Sequence, residues 1–280
     1  MIYKSDLEKD MMTTTKRARC LVGRNILGNR KFMVKEQIEK RGYVIITGGT
    51  SGIGLAAAQC LQAIGYQSIL LGRDKIRGLE AVKKVIGSTY LFCDVTDTLS
   101  IKKAINEASQ LGNITGVVVA AGQYKEGLIE NITDEDMEAL FKVNTFGVIA
   151  TIRESIPYLR HLGGSIVVVS SDAAVQGNIQ GSLYGATKGA INAFVKSAAL
   201  ELAVDNIRVN SVCLGDIKTP LLEKQFKVYG GNEEETASIY PMMRIGKPEE
   251  AGEVIAFLIS GKASFMTGSI VMVDGGLTSW

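Results

Sequence analysis

The sequence predicts an α/β protein, a single domain built on a doubly wound parallel sheet with helices on both faces. Three observations lead to this prediction. Short runs of β-branched residues, such as Ile166–Val169, indicate strands that are buried on both faces. These runs alternate with longer helical patterns. The first run, Tyr43–Thr47, leads through a glycine-rich turn into an alanine-rich helix at Leu55–Ile64, as in a βαβ unit that binds nucleotides.

The remaining elements follow in the same alternation along the chain. Pro248 suits the first turn of a helix that extends to Ile259. Thr133 and Asp136 form a capping-box pattern at the start of a long helix, and Thr98 or Ser100 is expected to cap a helix that ends at Ala108. Further strands are predicted at Ser68–Leu71, Tyr90–Cys93, Gly116–Ala120, Arg208–Cys213 and Ser269–Val273, and a further helix at Gly185–Val204.

Composition excludes several classes of function. The chain has 280 residues, 46% of them hydrophobic, and a net charge of +2, which gives no sign of a nucleic-acid partner. No apolar run approaches the roughly 18 residues of a membrane helix, so we expect a soluble, cytoplasmic protein. One histidine, His161, leaves too few parts for a histidine metal site or a Ser-His-Asp triad, and no metal is expected. The four cysteines lack C-x-x-C spacing, which indicates free thiols: Cys20, Cys60, Cys93 and Cys213.

Residues 1–41 differ in charge from the rest of the chain. They hold eleven Lys/Arg and five Asp/Glu, a net of +6. We expect a basic, poorly ordered extension ahead of a folded domain at 42–280. The acidic residues Asp6, Glu8 and Asp10 argue against a mitochondrial transit peptide. Two interpretations stay open: residues 1–32 precede the natural start at Met33, or the basic tail binds a partner.

The turn after the first strand predicts a dinucleotide-binding loop. Glycines allow the backbone to approach a pyrophosphate closely, and the helix that follows offers unpaired N–H groups and the positive end of its dipole. Strand, glycine-rich turn and helix stand here in the required order. The loop residues are Gly48, Thr50, Ser51, Gly52, Ile53 and Gly54.

A second pattern, from Ser170 to Lys188, predicts chemistry at a carbonyl group. The strand Ile166–Val169 delivers Ser170 and Ser171 to its carboxyl end, where open α/β sheets bind ligands. Tyr184 and Lys188 stand four residues apart, which places them on one face of a helix. A phenol has a pKa of about 10, and a neighbouring ammonium is expected to lower it. Tyr-x-x-x-Lys alone often occurs by chance, so the upstream loop is what makes the pattern informative.

Together the two motifs resemble the short-chain dehydrogenase/reductase family, and within it the single-domain 3-oxoacyl-ACP reductase-like branch. The spacing T-G-x-x-x-G-x-G from Thr47 to Gly54 and the Ser…Tyr-x-x-x-Lys pattern match over about residues 42–277. The resemblance implies a Rossmann-like fold and four catalytic residues, Asn144, Ser171, Tyr184 and Lys188. It also implies that further residues bind the cofactor: Asp94, Val95, Ala121, Gly122, Tyr184, Lys188, Gly215, Ile217 and Thr219.

The end of the second strand bears on which cofactor is used. An acidic residue there would bind the ribose 2′-hydroxyl of NAD. This chain has Gly72 and then Arg73, a pattern that resembles the NADP-preferring members, and an arginine can pair with a 2′-phosphate. The alternative is that Arg73 is an ordinary surface residue. The sequence therefore favours NADP(H) over NAD(H).

Two departures from the family pattern accompany the match. Ala120 stands where the family usually has Asn, which puts local hydrogen bonding in doubt, and Leu214 stands before Gly215 where Pro is usual, which is expected to loosen the loop beside the nicotinamide. By position, about residues 216–246 form a substrate lid. The resemblance also implies a homodimer or homotetramer.

The expected function is therefore an NAD(P)(H)-dependent oxidoreductase that interconverts a ketone and a secondary alcohol. An apolar wall and the absence of Arg or Lys beside the catalytic residues favour a 3-oxoacyl-type ketone; hydroxysteroid and sugar or polyol dehydrogenases are alternatives. A non-catalytic nucleotide sensor or scaffold is the alternative of another class. The residues of the expected wall are Ala173, Ala174, Val175, Ile179 and Leu183.

Overall fold

The computed structural model describes residues 41–279, and their centre is one seven-stranded sheet. All pairs of neighbouring strands are parallel, in the order β3-β2-β1-β4-β5-β6-β7. The sheet is therefore the doubly wound, Rossmann-like one that the sequence predicts. The strands are β1 Tyr43–Thr47, β2 Gln67–Gly72, β3 Thr89–Phe92, β4 Ile114–Val119, β5 Gly164–Ser171, β6 Ile207–Leu214 and β7 Ile270–Val273.

Helices cover both faces of the sheet. Side chains alternate along each strand, so that Ile45 packs into one apolar cluster while Val44 and Ile46 pack into the other. The first cluster includes residues of α3, α5 and α6, and the second includes residues of α1, α2 and α9. The helices are α1 Gly52–Ala63, α2 Lys75–Lys84, α3 Thr98–Ser109, α4 Asp134–Phe141, α5 Gly147–Leu159, α6 Ser182–Leu202, α7 Pro220–Tyr229, α8 Glu233–Ser238 and α9 Pro248–Ile259.

The strand order reverses at β1, which has β2 on one side and β4 on the other. Parallel strands leave a crevice at such a reversal because the connections leave in opposite directions. The carboxyl ends of β1 and β4 pair at Thr47 and Val119. The glycine-rich loop and the Ser171 strand end both lie at this edge of the sheet.

Local differences from the sequence prediction have identifiable causes. The first turn of α3 is capped by Asp97, which accepts from the Leu99 N–H at 2.9 Å, and neither Thr98 nor Ser100 is the cap. Ser100 instead accepts a hydrogen bond from the Asp94 N–H at 3.0 Å. The capping box at Thr133 is confirmed. The long helix after it is interrupted by a π-helical turn over Lys142–Phe146.

Gly42–Trp280 form one compact unit. The expected basic extension falls almost entirely outside the described residues, as does Cys20. Cys60, Cys93 and Cys213 are buried free thiols. Within residues 41–279 no helix is both long and apolar enough to cross a bilayer.

Candidate active site

A cleft of about 610 Å³ opens at the strand-order reversal. Its volume lies in the range typical of sites for small molecules and cofactors. Most of the cofactor-binding residues predicted from the sequence line it together. They are Gly48, Thr50, Ser51, Gly52, Ile53, Gly54, Arg73, Val95, Ala121, Gly122 and Thr219.

The glycine-rich loop is closely packed against the neighbouring strand end. Gly48 has φ +66°, and a Cβ there would lie 2.8 Å from the Ala121 nitrogen. A Cβ at Gly54 would lie 2.4 Å from the carbonyl oxygen of Gly48. Larger residues at either position would push the loop away from the sheet. The glycines thus fix where the loop begins helix α1.

The amino terminus of α1 has the chemistry that a pyrophosphate needs. Its N-cap residue, Ser51, makes no capping hydrogen bond, and the first turn holds no acidic side chain. The first N–H groups of a helix have no partner within the helix, and the dipole favours an anion there. These residues therefore fit the diphosphate of a dinucleotide.

At the carboxyl end of β2 the side chain of Thr50 occupies the space that a side chain at position 72 would need. A Cβ at Gly72 would lie 2.9 Å from the Thr50 Cγ2 atom. The next side chain, Arg73, is 59% exposed and its guanidinium lies 3.9 Å from the Asp94 carboxylate. Arg77, which also lines the cleft, contacts Asp74 at 3.3 Å. Two guanidinium groups therefore flank this end of the cleft.

Asp94 lies beside the cleft and stabilises the turn after β3. Its carboxylate accepts hydrogen bonds from the Thr96 N–H at 2.9 Å and from the Thr96 hydroxyl at 2.8 Å. The neighbouring Val95 and Thr96 line the cleft. Of the sequence-predicted Asp–Val pair, Asp94 thus supports the turn while Val95 lines the cleft.

A second pocket, of about 360 Å³, adjoins the cleft and holds the predicted catalytic residues. The two cavities share wall residues, including Ile53, Gly122 and Thr219. Ser171, Tyr184 and Lys188 line the second pocket, together with Gly215 and Ile217. A molecule that extends along the cleft would therefore reach the catalytic side chains.

Ser171 is the last residue of β5 and is buried. Its hydroxyl donates to the Asp172 Oδ1 atom at 2.7 Å and accepts from the Ala173 N–H at 3.2 Å. It also hydrogen-bonds the Tyr184 phenol. The residue before it, Ser170, points elsewhere and donates to the Lys188 carbonyl at 3.5 Å.

Tyr184 and Lys188 lie in the first two turns of α6. The Lys188 ammonium is 5.7 Å from the centroid of the Tyr184 ring and donates to the Val169 carbonyl at 2.9 Å. Burial raises the pKa of Tyr184 above its ordinary value, the bond with Ser171 opposes this, and the carboxylate of Asp172 adds to the rise. Burial lowers the pKa of Lys188 to about 8.

The expected lowering of the Tyr184 pKa by Lys188 is therefore not found. Burial is the largest cause of both pKa shifts, because the charged form of either group loses water in this pocket. The phenol is protonated at neutral pH. That is the form required to donate a proton to a carbonyl oxygen.

Asn144 belongs to the π-helical turn and is fully buried. Its Oδ1 accepts from the Gln123 N–H at 2.8 Å, and its Nδ2 donates to the Gln123 carbonyl at 2.9 Å and to the Thr187 hydroxyl at 3.2 Å. Single π-turns in helices are frequent at functional sites. A Cβ at Gly122 would lie 3.5 Å from the Asn144 Oδ1 and 3.8 Å from the Lys188 Nζ, so the three residues meet.

The loop after β6 is held firmly despite the leucine at position 214. Leu214 pairs with Ser171 and Val273 as part of the sheet. The Tyr240 hydroxyl accepts from the Asp216 N–H at 2.6 Å and donates to the Asp216 carboxylate at 2.8 Å. The loosening expected from the missing proline is therefore wrong, because Tyr240 supplies the bracing.

Ala120 likewise leaves the strand end intact. The Ala120 N–H donates to the Thr47 carbonyl at 3.1 Å, and the Ala121 N–H donates to the Thr47 hydroxyl at 3.4 Å. Backbone bonds to β1 therefore connect the two central strands without an asparagine side chain.

The predicted apolar wall does not line the pocket. Ile179 is 92% exposed and Val175 is 51% exposed, and both point to solvent because the segment after Ser171 turns in a short 3₁₀ helix. Hydrogen-bonding side chains that the sequence reasoning missed take that place. They are Tyr124, Asp172, Gln176, Asn178, Asp216 and Gln225.

Comparison with known proteins assigns this chain to a family. A family model described as enoyl-(acyl carrier protein) reductase matches residues 48–278. The 3-oxoacyl-[acyl-carrier-protein] reductase FabG of Thermotoga maritima is 36% identical over 242 residues, covering 83% of this chain and 96% of that protein. The chain belongs to the short-chain dehydrogenase/reductase family.

Other relatives of this short-chain dehydrogenase/reductase show how widely its likeness extends. Carbonyl reductase family member 4 of Xenopus tropicalis is 33% identical, with 83% of this chain and 96% of that protein covered. The ligand-free aldohexose dehydrogenase of Thermoplasma acidophilum superposes with a TM-score of 0.78 at 33% identity, over 85% of this chain and 94% of the other. The protein is therefore an enzyme that acts on CH–OH or carbonyl groups, and its relatives differ in substrate.

Proposed function

We propose that the protein is an NADP(H)-dependent oxidoreductase that interconverts a ketone and a secondary alcohol, with Tyr184 as its acid and base. The observation that carries the proposal is the convergence of Ser171, Tyr184 and Lys188 on the second pocket, which shares wall residues with the dinucleotide cleft. Asn144 contacts the same wall from behind through Gln123.

In the direction of reduction, a nicotinamide cofactor held in the cleft would supply the hydride that the carbonyl carbon accepts. Tyr184 donates its proton to the carbonyl oxygen, and Ser171 donates a hydrogen bond to that oxygen as negative charge develops. Lys188 stabilises the phenolate that remains and returns a proton to it, since its own pKa of about 8 permits both charge states near neutral pH. Oxidation of the alcohol uses the same steps in reverse.

The preference for NADP(H) is supported by the charges at the far end of the cleft. Arg73 and Arg77 line it, whereas Gly72 carries no carboxylate to bind a ribose 2′-hydroxyl. Arginine can form two parallel hydrogen bonds with a phosphate. Asp74 also lines this end, but its carboxylate accepts from the Arg77 N–H at 3.1 Å and pairs with that side chain.

Three substrate classes are compatible with this function. The sequence favoured a 3-oxoacyl-type ketone, and the likeness to FabG supports that class. Hydroxysteroids and sugars or polyols are the alternatives; the hydrogen-bonding side chains in the pocket and the likeness to an aldohexose dehydrogenase support the latter. We also propose a cytoplasmic homodimer or homotetramer, for which the exposed Leu200 and Val204 near the end of α6 offer an apolar contact.

The test is the substitution Tyr184→Phe, followed as NADPH consumption across a panel of ketones. We expect a loss of turnover of about a hundredfold or more, the usual contribution of a general acid, with NADPH affinity changed by less than a few-fold. Tyr158→Phe on α5 is the matched control, because the Tyr158 hydroxyl donates a hydrogen bond to the side chain of Asn106. Retained turnover in Tyr184→Phe would refute the role of Tyr184. Cofactor binding without turnover in the unmodified protein, across the whole panel, would favour the nucleotide sensor.

A further inference from the structure

A cluster of one carboxylate and two amides stands directly beside the catalytic serine. The Asp172 Oδ2 atom accepts hydrogen bonds from the Gln176 amide at 3.2 Å and from the Asn178 amide at 3.4 Å. Its other oxygen, Oδ1, accepts from the Ser171 hydroxyl at 2.7 Å. All three residues line the substrate pocket. The carboxylate is therefore oriented by the amides and directed at Ser171.

This arrangement favours a substrate that can donate a hydrogen bond beside its reacting carbon. A serine hydroxyl has one proton to donate, and here that proton is directed at Asp172. When Ser171 turns its proton to a substrate carbonyl, the Asp172 Oδ1 atom loses its donor. The Oδ2 atom keeps its two amide donors, but Oδ1 then depends on water or on the substrate for a hydrogen bond. A substrate that displaces water from the pocket and brings its own donor to Asp172 is therefore favoured over one that brings none.

The opposite side of the pocket also offers hydrogen-bond acceptors. Asp216 uses one carboxylate oxygen to accept from the Tyr240 hydroxyl at 2.8 Å. Gln225, also in the wall, donates to Glu126 at 3.1 Å and keeps its amide oxygen as an acceptor. Among residues 41–279, the only cation in this wall is Lys188, whose ammonium is bound to the Val169 carbonyl. The pocket thus accepts hydrogen bonds and disfavours an anion.

We propose that this enzyme acts on a neutral polyhydroxylated compound, a sugar or polyol, in which a hydroxyl next to the reacting carbon donates to Asp172. The proposal rests on the proposed oxidoreductase function and specifies its substrate. The Ser171 Oγ and Asp172 Oδ1 atoms are adjacent, so one molecule can present a carbonyl oxygen to the first and a neighbouring hydroxyl to the second. A 3-oxoacyl thioester has only carbonyl acceptors around its reacting carbon, and it would bring no donor to the Asp172 Oδ1 atom.

The experiment compares matched pairs of alcohols that differ by one neighbouring hydroxyl. The pairs are 1,2-cyclohexanediol with cyclohexanol, 1,2-propanediol with 2-propanol, and glucose with 2-deoxyglucose, each with NADP⁺ and NAD⁺. We expect kcat/KM to favour the hydroxylated member by about ten- to a hundredfold, the range for a hydrogen bond to a charged group. In Asp172→Asn this preference should fall at least fivefold, measured as the ratio of kcat/KM for the two members of a pair, because a loss of activity caused by the change beside Ser171 is common to both members and cancels in the ratio.

Glu201→Gln is the matched control, because Glu201 is an exposed carboxylate on α6 outside the pocket. It should keep the full preference for the hydroxylated member. Turnover of both members at equal efficiency, or an unchanged preference in Asp172→Asn, would overturn the inference and leave the proposed function standing. Faster reduction of a 3-oxoacyl thioester than of any hydroxyketone would also overturn the inference alone. Absence of turnover with every pair and with the thioester would overturn both.

Discussion

The burial of Lys188 predicts that this residue destabilises the enzyme in the absence of cofactor. Its side chain is 5% exposed, and its ammonium donates to the Val169 carbonyl. Burial lowers its pKa from 10.5 to about 8. Below pH 8 the folded protein must therefore hold a charge that the unfolded chain would hold in water. Lys188→Met, which keeps the length of the side chain and removes the charge, should stabilise the cofactor-free protein.

The size of the stabilisation expected in Lys188→Met follows from the pKa shift of Lys188. At about 1.4 kcal/mol per pKa unit, a lowering from 10.5 to about 8 corresponds to about 3 kcal/mol. Methionine also loses the bond to Val169, worth about 1 kcal/mol. The net gain at pH 7 is therefore about 2 kcal/mol, or a rise in Tm of roughly 4–8 °C for a domain of this size.

The sign of the pH dependence distinguishes this cause from improved packing. Between pH 8 and 10.5 the unfolded state of the parent binds more protons at this site than the folded state does, so the parent gains stability as pH rises. The advantage of Lys188→Met should thus be complete at pH 7 and vanish at about pH 10, where the remaining cost of the charge equals that of the lost hydrogen bond. Urea denaturation at pH 7, 8, 9 and 10 measures it, with the exposed Lys196→Met on the same helix as control. A variant no more stable than its parent at pH 7, or an advantage independent of pH, would refute the reasoning.

Two further substitutions test the dinucleotide cleft. Arg73→Ala should weaken the binding of NADPH by about tenfold or more, as expected for a charge-assisted bond, and the binding of NADH by less than twofold. Titration of both cofactors measures this difference. An equal loss for the two cofactors would remove the case for NADP(H). Gly54→Ala places a Cβ 2.4 Å from the Gly48 carbonyl oxygen, so it should cost about 1–3 kcal/mol of folding stability and abolish binding of both cofactors. Calorimetry reports both effects, and tight binding in Gly54→Ala would show that the loop does not need this close contact.

The sequence predicted the sheet because each strand is a short apolar run and each central strand is buried on both faces. It also located the loop and Ser171, Tyr184 and Lys188, since spacing along one strand and one helix determines which face they share. Helix α2 was not predicted, and neither were helices α7 and α8 of the segment that the sequence predicts as a lid. They are ten residues long or shorter and bury at most two residues each, so their apolar pattern is too short to identify a buried face.

The shape of the substrate pocket could not be predicted because it depends on contacts between distant residues. Tyr240 braces the loop at Asp216 from 24 residues further along the chain, and Gln225 reaches Glu126 across 99 residues. No local pattern encodes either contact. The apolar wall was wrong for a related reason: hydropathy alone does not say whether Ile179 faces the pocket or the solvent.

Lys188 lowers the stability of the folded protein, and Asp172 makes the site selective among ligands, for the same structural reason. One is a cation and the other an anion, yet neither pairs with the other: Lys188 is bound to the Val169 carbonyl, and Asp172 is held by Ser171 and two amides. A direct ion pair would satisfy both and stabilise the empty protein, but it would withdraw both from the substrate. Because each is satisfied only by weaker neutral partners, each can exchange that partner for a ligand group. The stability cost at Lys188 and the hydroxyl preference at Asp172 are thus two consequences of one arrangement, and the variants at these two positions measure them independently.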